Sequence, residues 1–242
     1  MSGKVGGAVA SHGWRNGQGR GRLLGPLRRL VLAVAAGLPA ALVPAVAQAA
    51  LVDWLVLVVD ISASIDEDEY QLQHQSYVNV LRDPGIGALL EGARIAIVEF
   101  GTAPELVVEW VDDPVLAASL YAGHSRGIAG PGPTSTTGIA RALGFALDMV
   151  EDKAGRKVID ISGDGPDNVD WVSAVWSQRD RARDRRVEIN GLAIPTAEEP
   201  AVDLYYAENV ITGFLEISRE HVDFEESLLM KLHIEIAGTA PE

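Results

Sequence analysis

Three oxygen-bearing side chains follow an apolar run of the sequence at every second position. Residues 55–59 are all apolar, and Asp60, Ser62 and Ser64 come directly after them. A carboxylate beside buried apolar residues is costly unless it has a partner, so a buried strand that ends in an aspartate commonly ends at a functional site. The plainer interpretation is a turn in which Ser64 caps the following helix.

Two later segments carry side chains of the same kind. Residues 130–138 read GPGPTSTTG and offer the hydroxyl groups of Thr134, Ser135 and Thr136, while Asp164 lies in SGDGPDN after another apolar run. These are hard oxygen donors, without thiol or imidazole, and they favour Mg²⁺, Mn²⁺ or Ca²⁺ over zinc or copper. Because hydroxyls are weak, neutral ligands, such a cation would keep much of its charge and attract one more anionic ligand.

Alternating strand and helix patterns predict the scaffold that positions these segments. Apolar runs predict strands at 55–59, 93–101, 104–111, 156–162, 187–195 and 213–218, and helical patterns occupy 64–83, 113–123, 139–152, 169–186 and 224–237. We therefore expect an α/β fold: a three-layer, doubly wound, mostly parallel sheet with helices on both faces and the second and third strands as an edge hairpin. Such sheets bind ligands at the carboxyl ends of their strands, where all three segments would lie.

The first 49 residues have the organisation of a secretory signal. Basic residues without any acidic one precede an apolar stretch at 30–46, and Ala47-Gln48-Ala49 forms a small-residue cleavage site. We predict a signal peptide at 1–49, cleavage after Ala49, a single domain at 50–242, and export to the periplasm or the medium. Two prolines interrupt an apolar stretch already shorter than the roughly 20 residues of a spanning helix, so no membrane span is expected after cleavage.

The charge balance narrows the class of partner. Six of the 20 basic residues and none of the 34 acidic ones lie in the first 49 positions, so the remainder carries a formal charge of −20. Attraction to nucleic acid or anionic lipid is not expected, and cations and basic partners are favoured. The chain has no cysteine, so the fold must rest on a packed core instead of disulfides.

The D-x-S-x-S sequence after an apolar strand resembles the metal-ion-dependent adhesion site (MIDAS) of von Willebrand factor A (vWA) domains. The resemblance extends over residues 53–237 and implies the Rossmann-like vWA fold. In that family one loop supplies an aspartate and two serines, a second loop a threonine, and a third an aspartate. On the matching positions the resemblance implies these metal ligands: Asp60, Ser62, Ser64, Thr134 (with Ser135 as the alternative register) and Asp164.

Two departures from the family pattern bear on the ligand set. The segment GPTSTTGIA has one residue more before Gly138 than the usual G-G-T-x-T-G, and Ser162-Gly163 precede Asp164 where the family has T-D-G. The phrases SGDGPDN and INGLAI resemble a bacterial group of exported proteins on this fold whose task is not defined. The wider family implies a bound divalent cation, Mg²⁺ before Mn²⁺ or Ca²⁺, that accepts a carboxylate from a protein partner, and no catalysis. The oligomeric state is not predicted.

Two other interpretations use the same residues. A serine hydrolase would combine Ser135 with Asp60 and a histidine, either His74 or His124, but neither histidine has a family signature around it. The acidic loop after Asp164 offers a second cation site at Asp167, Asn168 and Asp170, although loop acids are more often turn formers.

Overall fold

A six-stranded sheet organises the protein. The computed structural model describes residues 52–124, 136–219 and 221–237, so the predicted signal peptide and both Thr134 and Ser135 lie outside the described residues. The strand order is β3-β2-β1-β4-β5-β6, and only the edge strand β3 runs antiparallel to its neighbour. The strands are β1 Trp54–Asp60, β2 Arg94–Phe100, β3 Pro104–Val111, β4 Lys157–Gly163, β5 Val187–Ala193 and β6 Leu215–Ile217.

Helices connect the strands and cover the sheet. They are α1 Glu67–Arg82, α2 Pro84–Leu89, α3 Pro114–Ala122, α4 Ile139–Val150, α5 Val172–Arg185, α6 Val202–Tyr205 and α7 Phe224–Ala237. A π-helical turn, Tyr206–Val210, continues α6, and a 3₁₀ turn, His221–Asp223, precedes α7. The sequence patterns did not predict α2, α6, the π-helical turn or the 3₁₀ turn. Within the described residues, no helix has the length and apolar character needed to cross a bilayer.

The central strand β1 is buried on both faces. Leu55, Leu57 and Val59 pack into the cluster that α1, α3 and α7 cover, whereas Val56 and Val58 pack into the cluster under α4 and α5. A strand buried on both sides reads as a continuous apolar run instead of an alternation. The three-layer, doubly wound architecture expected from the sequence is therefore confirmed.

The N-terminus of α1 leaves Ser64 free for another role. Asp66 is the N-cap: its side chain accepts from the backbone N–H of Glu69 at 2.9 Å, and the Glu69 side chain accepts from the backbone N–H of Asp66 at 2.9 Å. This reciprocal pair is a capping box. The interpretation of Ser64 as the helix cap is therefore wrong, because the N-cap is Asp66, two residues later.

The closing helix α7 brings charges into the interior. Lys231 is fully buried, and its Nζ lies 2.6 Å from Oδ1 of Asp160 on β4 and 2.8 Å from Oε2 of Glu235. Burial, and then the charge of Asp160, raises the pKa of Glu235 to about 8. Glu235 therefore keeps its proton at neutral pH, and the buried cluster carries one negative charge fewer, which a low-dielectric interior tolerates better.

Candidate functional site

The carboxylate of Asp60 ends β1 at the carboxyl edge of the sheet. The residue is fully buried, and Oδ1 accepts a hydrogen bond of 2.8 Å from the backbone N–H of Ser62. The Asp60 carbonyl accepts one of 2.8 Å from Nε2 of Gln73 on α1. Asp60 is thus fixed by the loop that follows it and by the first helix.

Hydroxyl and carboxylate oxygens from three loops lie next to one another above this strand end. The Thr137 hydroxyl donates to the Ser62 hydroxyl at 3.1 Å, and the Ser62 and Ser64 hydroxyls are 3.2 Å apart. Ser64 in turn donates to Oδ1 of Asp164 at 2.8 Å. The structure thus brings Asp60, Ser62, Ser64 and Asp164 together, as the sequence predicted, and adds Thr137. We call these five residues the oxygen cluster.

The second loop enters the site through Thr137, which sequence reasoning missed. Its backbone N–H donates to Oδ1 of Asn168 at 2.8 Å, and its carbonyl accepts from the Asn168 N–H at 3.0 Å. The next residue, Gly138, passes so close to the hairpin turn that a Cβ there would lie 3.0 Å from the Gly101 carbonyl oxygen. The segment TSTTG has four consecutive hydroxyl residues, of which the structure describes Thr136 and Thr137. The contacts with Asn168 place Thr137 in the site, and the sequence alone does not indicate them.

The acidic residues after Asp164 are engaged as structural groups. Oδ2 of Asp167 accepts from the backbone N–H of Ala140 in the first turn of α4 at 2.7 Å, and Oδ1 accepts from the N–H groups of Val169 at 3.0 Å and Asp170 at 2.8 Å. Asp170 pairs with Nε of Arg141 at 2.9 Å. The contacts of Asp167 with Val169 and Asp170 agree with the interpretation of these acids as turn formers. The contacts with Ala140 and Arg141 connect the third loop to the beginning of α4.

A small acidic cavity opens over the oxygen cluster. It has a volume of about 240 Å³, with Ser64, Thr137 and Asp164 in its wall and three carboxylates, Glu69, Glu198 and Glu199, also lining it. Carboxylate and hydroxyl oxygens fit a hard divalent cation, which prefers oxygen ligands. Among the described residues, no group of three or more His, Cys, Asp or Glu side chains is arranged to hold a metal ion. A cation at this place would therefore need the hydroxyl groups as ligands.

Tyr206, the first residue of the π-helical turn, lies beneath the oxygen cluster. Its side chain is fully buried, and its hydroxyl and Oδ2 of Asp60 both lie against Gly163 of β4. Burial, followed by the charges of Asp60 and Asp164, raises the pKa of Tyr206 well above its ordinary value. Nothing in the sequence marked this residue, because it belongs to an irregular helix that no periodicity predicts.

The two histidines of the hydrolase interpretation have other partners. A ring nitrogen of His74 lies 2.8 Å from the backbone carbonyl oxygen of Tyr121, and Nε2 of His124 lies 3.1 Å from Oε2 of the buried Glu99. In the part of the chain that the structure describes, neither histidine is paired with Asp60. The third residue of that interpretation, Ser135, lies outside the described residues.

Comparison by sequence assigns the chain to a family. The model of the family described as "Protein of unknown function (DUF1194)" matches residues 51–240, most of the chain. The chain belongs to the DUF1194 family. The matched range includes all five residues of the oxygen cluster as well as Tyr206. No curated protein matches the DUF1194 chain in sequence.

Solved structures place the DUF1194 chain on the vWA fold. Proximal thread matrix protein 1 of the mussel byssus, with its MIDAS motif occupied by zinc, has a TM-score of 0.54 at 16% identity over 76% of this chain and 46% of its own. The von Willebrand factor type A protein of Catenulispora acidiphila has a TM-score of 0.53 at 16% identity over 75% and 43%. The conserved hypothetical protein BatB of Bacteroides thetaiotaomicron has a TM-score of 0.53 at 12% identity over 77% and 100%. The chain spans less than half of the first two, and the likeness concerns the fold.

Proposed function

We propose that this protein binds one divalent cation at the oxygen cluster and that the cation docks a carboxylate of a protein partner. The observation that carries the proposal is the unbroken contact from Thr137 through Ser62 and Ser64 to Asp164, beside Asp60. Oxygen atoms from three separate loops meet there. Thr134, with Ser135 as its alternative, stays a further candidate ligand from the second loop.

The charge of the site supports an anionic partner group. Two carboxylates and several neutral hydroxyls hold a hard cation without filling its coordination sphere, and Mg²⁺ commonly keeps positions for water or a ligand's oxygen. Ser64 is exposed at the cavity, so an open position there would be accessible from outside. The mussel protein with a zinc-occupied MIDAS motif supports a cation in this place on the fold, and Mg²⁺ is our first choice because the donors are hard oxygens.

We also propose that the protein works outside the cytoplasm as a binding module. The first 49 residues have the pattern of a cleaved secretory signal, and the remainder is strongly acidic. An acidic surface of this kind favours partners that carry basic groups around the docking carboxylate.

Thermal melting of the purified protein tests the cation. A ligand that binds only the folded state stabilises it by about 2.7 kcal/mol at a concentration of 100 Kd, so Mg²⁺ or Mn²⁺ should raise the Tm above that in EDTA. Asp60→Ala should remove the rise. Asp66→Ala is the matched control, since it removes a neighbouring carboxylate that caps α1, and it should keep the rise. A Tm that no divalent cation changes would contradict the proposal.

Capture from an envelope extract tests the docking role. Immobilised protein should retain a partner in Mg²⁺, release it in EDTA, and fail to retain it after Asp60→Ala. Retention that is the same in Mg²⁺ and EDTA would show that the partner does not bind through a cation.

A further inference from the structure

The hydroxyl of Tyr206 is a buried polar group without a hydrogen-bond partner in the part of the chain that the structure describes. Buried side-chain polar atoms nearly always have one, so an exception requires an explanation. The hydroxyl lies on the inner side of the oxygen cluster: a Cβ added to Gly163 would collide with it and would also lie 2.7 Å from Oδ2 of Asp60. The polar group beside the hydroxyl at Gly163 is therefore the carboxylate of Asp60, a member of the oxygen cluster.

Two strand glycines make room for this one side chain. Gly163 ends β4, and a Cβ at Gly191 of β5 would lie 3.3 Å from Cδ1 of Tyr206 and 2.9 Å from Cγ2 of Ile211. Glycine weakens a strand interior and commonly marks a close approach of another group. These glycines belong to SGDGPDN and INGLAI, the two phrases that resemble the bacterial group of exported proteins. Their common consequence is space for Tyr206 beneath Asp60.

The backbone that carries Tyr206 is also unusual. The residue begins the five-residue π-helical turn Tyr206–Val210, and π turns are rare and often occur at functional sites. Packing alone would be satisfied by a phenylalanine, which fills the same space without a hydroxyl. The hydroxyl group therefore needs a separate reason.

We propose that Tyr206 is a positioning residue of the cation site, whose hydroxyl donates to the carboxylate of Asp60 when the cation is bound and so orients that carboxylate toward the cation. The inference rests on the proposed function. A phenol carries its proton at neutral pH and donates a hydrogen bond to a carboxylate. Groups that orient metal ligands change metal affinity by about 10- to 100-fold when they are removed.

The test compares two buried tyrosines. In Tyr206→Phe, the Kd for Mn²⁺, measured by calorimetry or by electron paramagnetic resonance of free Mn²⁺, should rise about 10-fold or more. The Tm in EDTA should stay unchanged or rise, because a hydroxyl without a partner is lost. Tyr121→Phe is the control: its hydroxyl donates to Oε1 of Glu99 at 2.8 Å, and Glu99 is not a member of the oxygen cluster. That variant should lower the Tm in EDTA and leave the Mn²⁺ Kd unchanged.

The outcomes separate this inference from the proposed function. If the wild type and Tyr206→Phe bind Mn²⁺ equally and Asp60→Ala binds none, the positioning role is wrong and the cation site stands. If the wild type binds no Mn²⁺, both are wrong. If Tyr206→Phe is unfolded in EDTA, the hydroxyl supports the fold instead of the site, and the inference is overturned.

Discussion

The Ser64 hydroxyl donates to Oδ1 of Asp164 at 2.8 Å, although the two residues are 100 positions apart in the sequence. The contact joins the loop after β1 to the loop after β4, which are neighbouring parallel strands. Because the carboxyl ends of such strands meet at one edge of the sheet, residues distant in sequence become neighbours there. This pair is the link between the first and the third loop of the proposed cation site.

Ser64 and Asp66 should separate cation binding from helix capping. Ser64→Ala removes a member of the oxygen cluster and its hydrogen bond to Asp164, so it should weaken Mn²⁺ binding and lower the free energy of unfolding in EDTA by about 1 kcal/mol. Asp66→Ala removes the cap of α1 and should lower the free energy of unfolding by about 1 kcal/mol with Mn²⁺ binding intact. Urea unfolding and calorimetry on both variants measure the two effects. Unchanged Mn²⁺ binding in Ser64→Ala would mean that Ser64 is a structural residue.

A methyl group at Gly163 should disturb the site from below. It would collide with Asp60 and Tyr206, and overpacking of this kind costs about 1–3 kcal/mol. Removing the Tyr206 hydroxyl relieves one of the two collisions. The double variant Gly163→Ala/Tyr206→Phe should therefore lose less stability than the sum of the single changes, as urea unfolding of all three would measure. Strict additivity would show that the two residues do not share this space.

The buried cluster on α7 makes stability depend on pH. Glu235 has a pKa raised from 4.5 to about 8, mainly by burial, so the folded state holds its proton where the unfolded state has lost it. This contribution to stability is complete below the unfolded pKa and decreases as pH rises from about 4.5 to about 8. The unfolding free energy of Glu235→Gln should fall less over that window than that of the wild type. Equal pH dependence in the two proteins would contradict the raised pKa.

Lys231 should be among the most sensitive positions of α7. It is the cation of the cluster with Asp160 and Glu235, and removing one partner of a buried ion pair typically costs about 3–5 kcal/mol. Lys231→Met should show a loss of this size in urea unfolding, and adding Asp160→Asn should recover part of it. A loss below about 1 kcal/mol would mean that water reaches the cluster, since exposed ion pairs contribute no more than that.

The sequence predicted those features that depend on local pattern. The apolar run before Asp60 and the three- and four-residue spacing of apolar residues in α4 report burial directly, so the strands, the long helices and the edge hairpin were confirmed. The position of Asp164 followed from the same rule, since it comes after a buried strand. The two carboxylates of the oxygen cluster, Asp60 and Asp164, follow regular strands, and their convergence at one edge of the sheet could thus be predicted.

The remaining features depend on contacts between distant segments. Thr137 is one of four adjacent hydroxyl residues, and its place beside Ser62 is set by its pairing with Asn168. Tyr206 lies on a π-helical turn, for which no spacing rule exists. Lys231, four residues before Glu235, has the spacing of a surface ion pair, and only packing against β4 shows that it is buried.

The most direct measurement is an anomalous difference map from crystals soaked in Mn²⁺. We expect a single strong peak over the end of β1, within about 2–2.6 Å of oxygen atoms from Ser62 and Ser64 and close to the carboxylates of Asp60 and Asp164. The peak should be absent from crystals of Asp60→Ala. A map without a peak there, or with a peak that Asp60→Ala leaves in place, would contradict the cation site and with it the docking role.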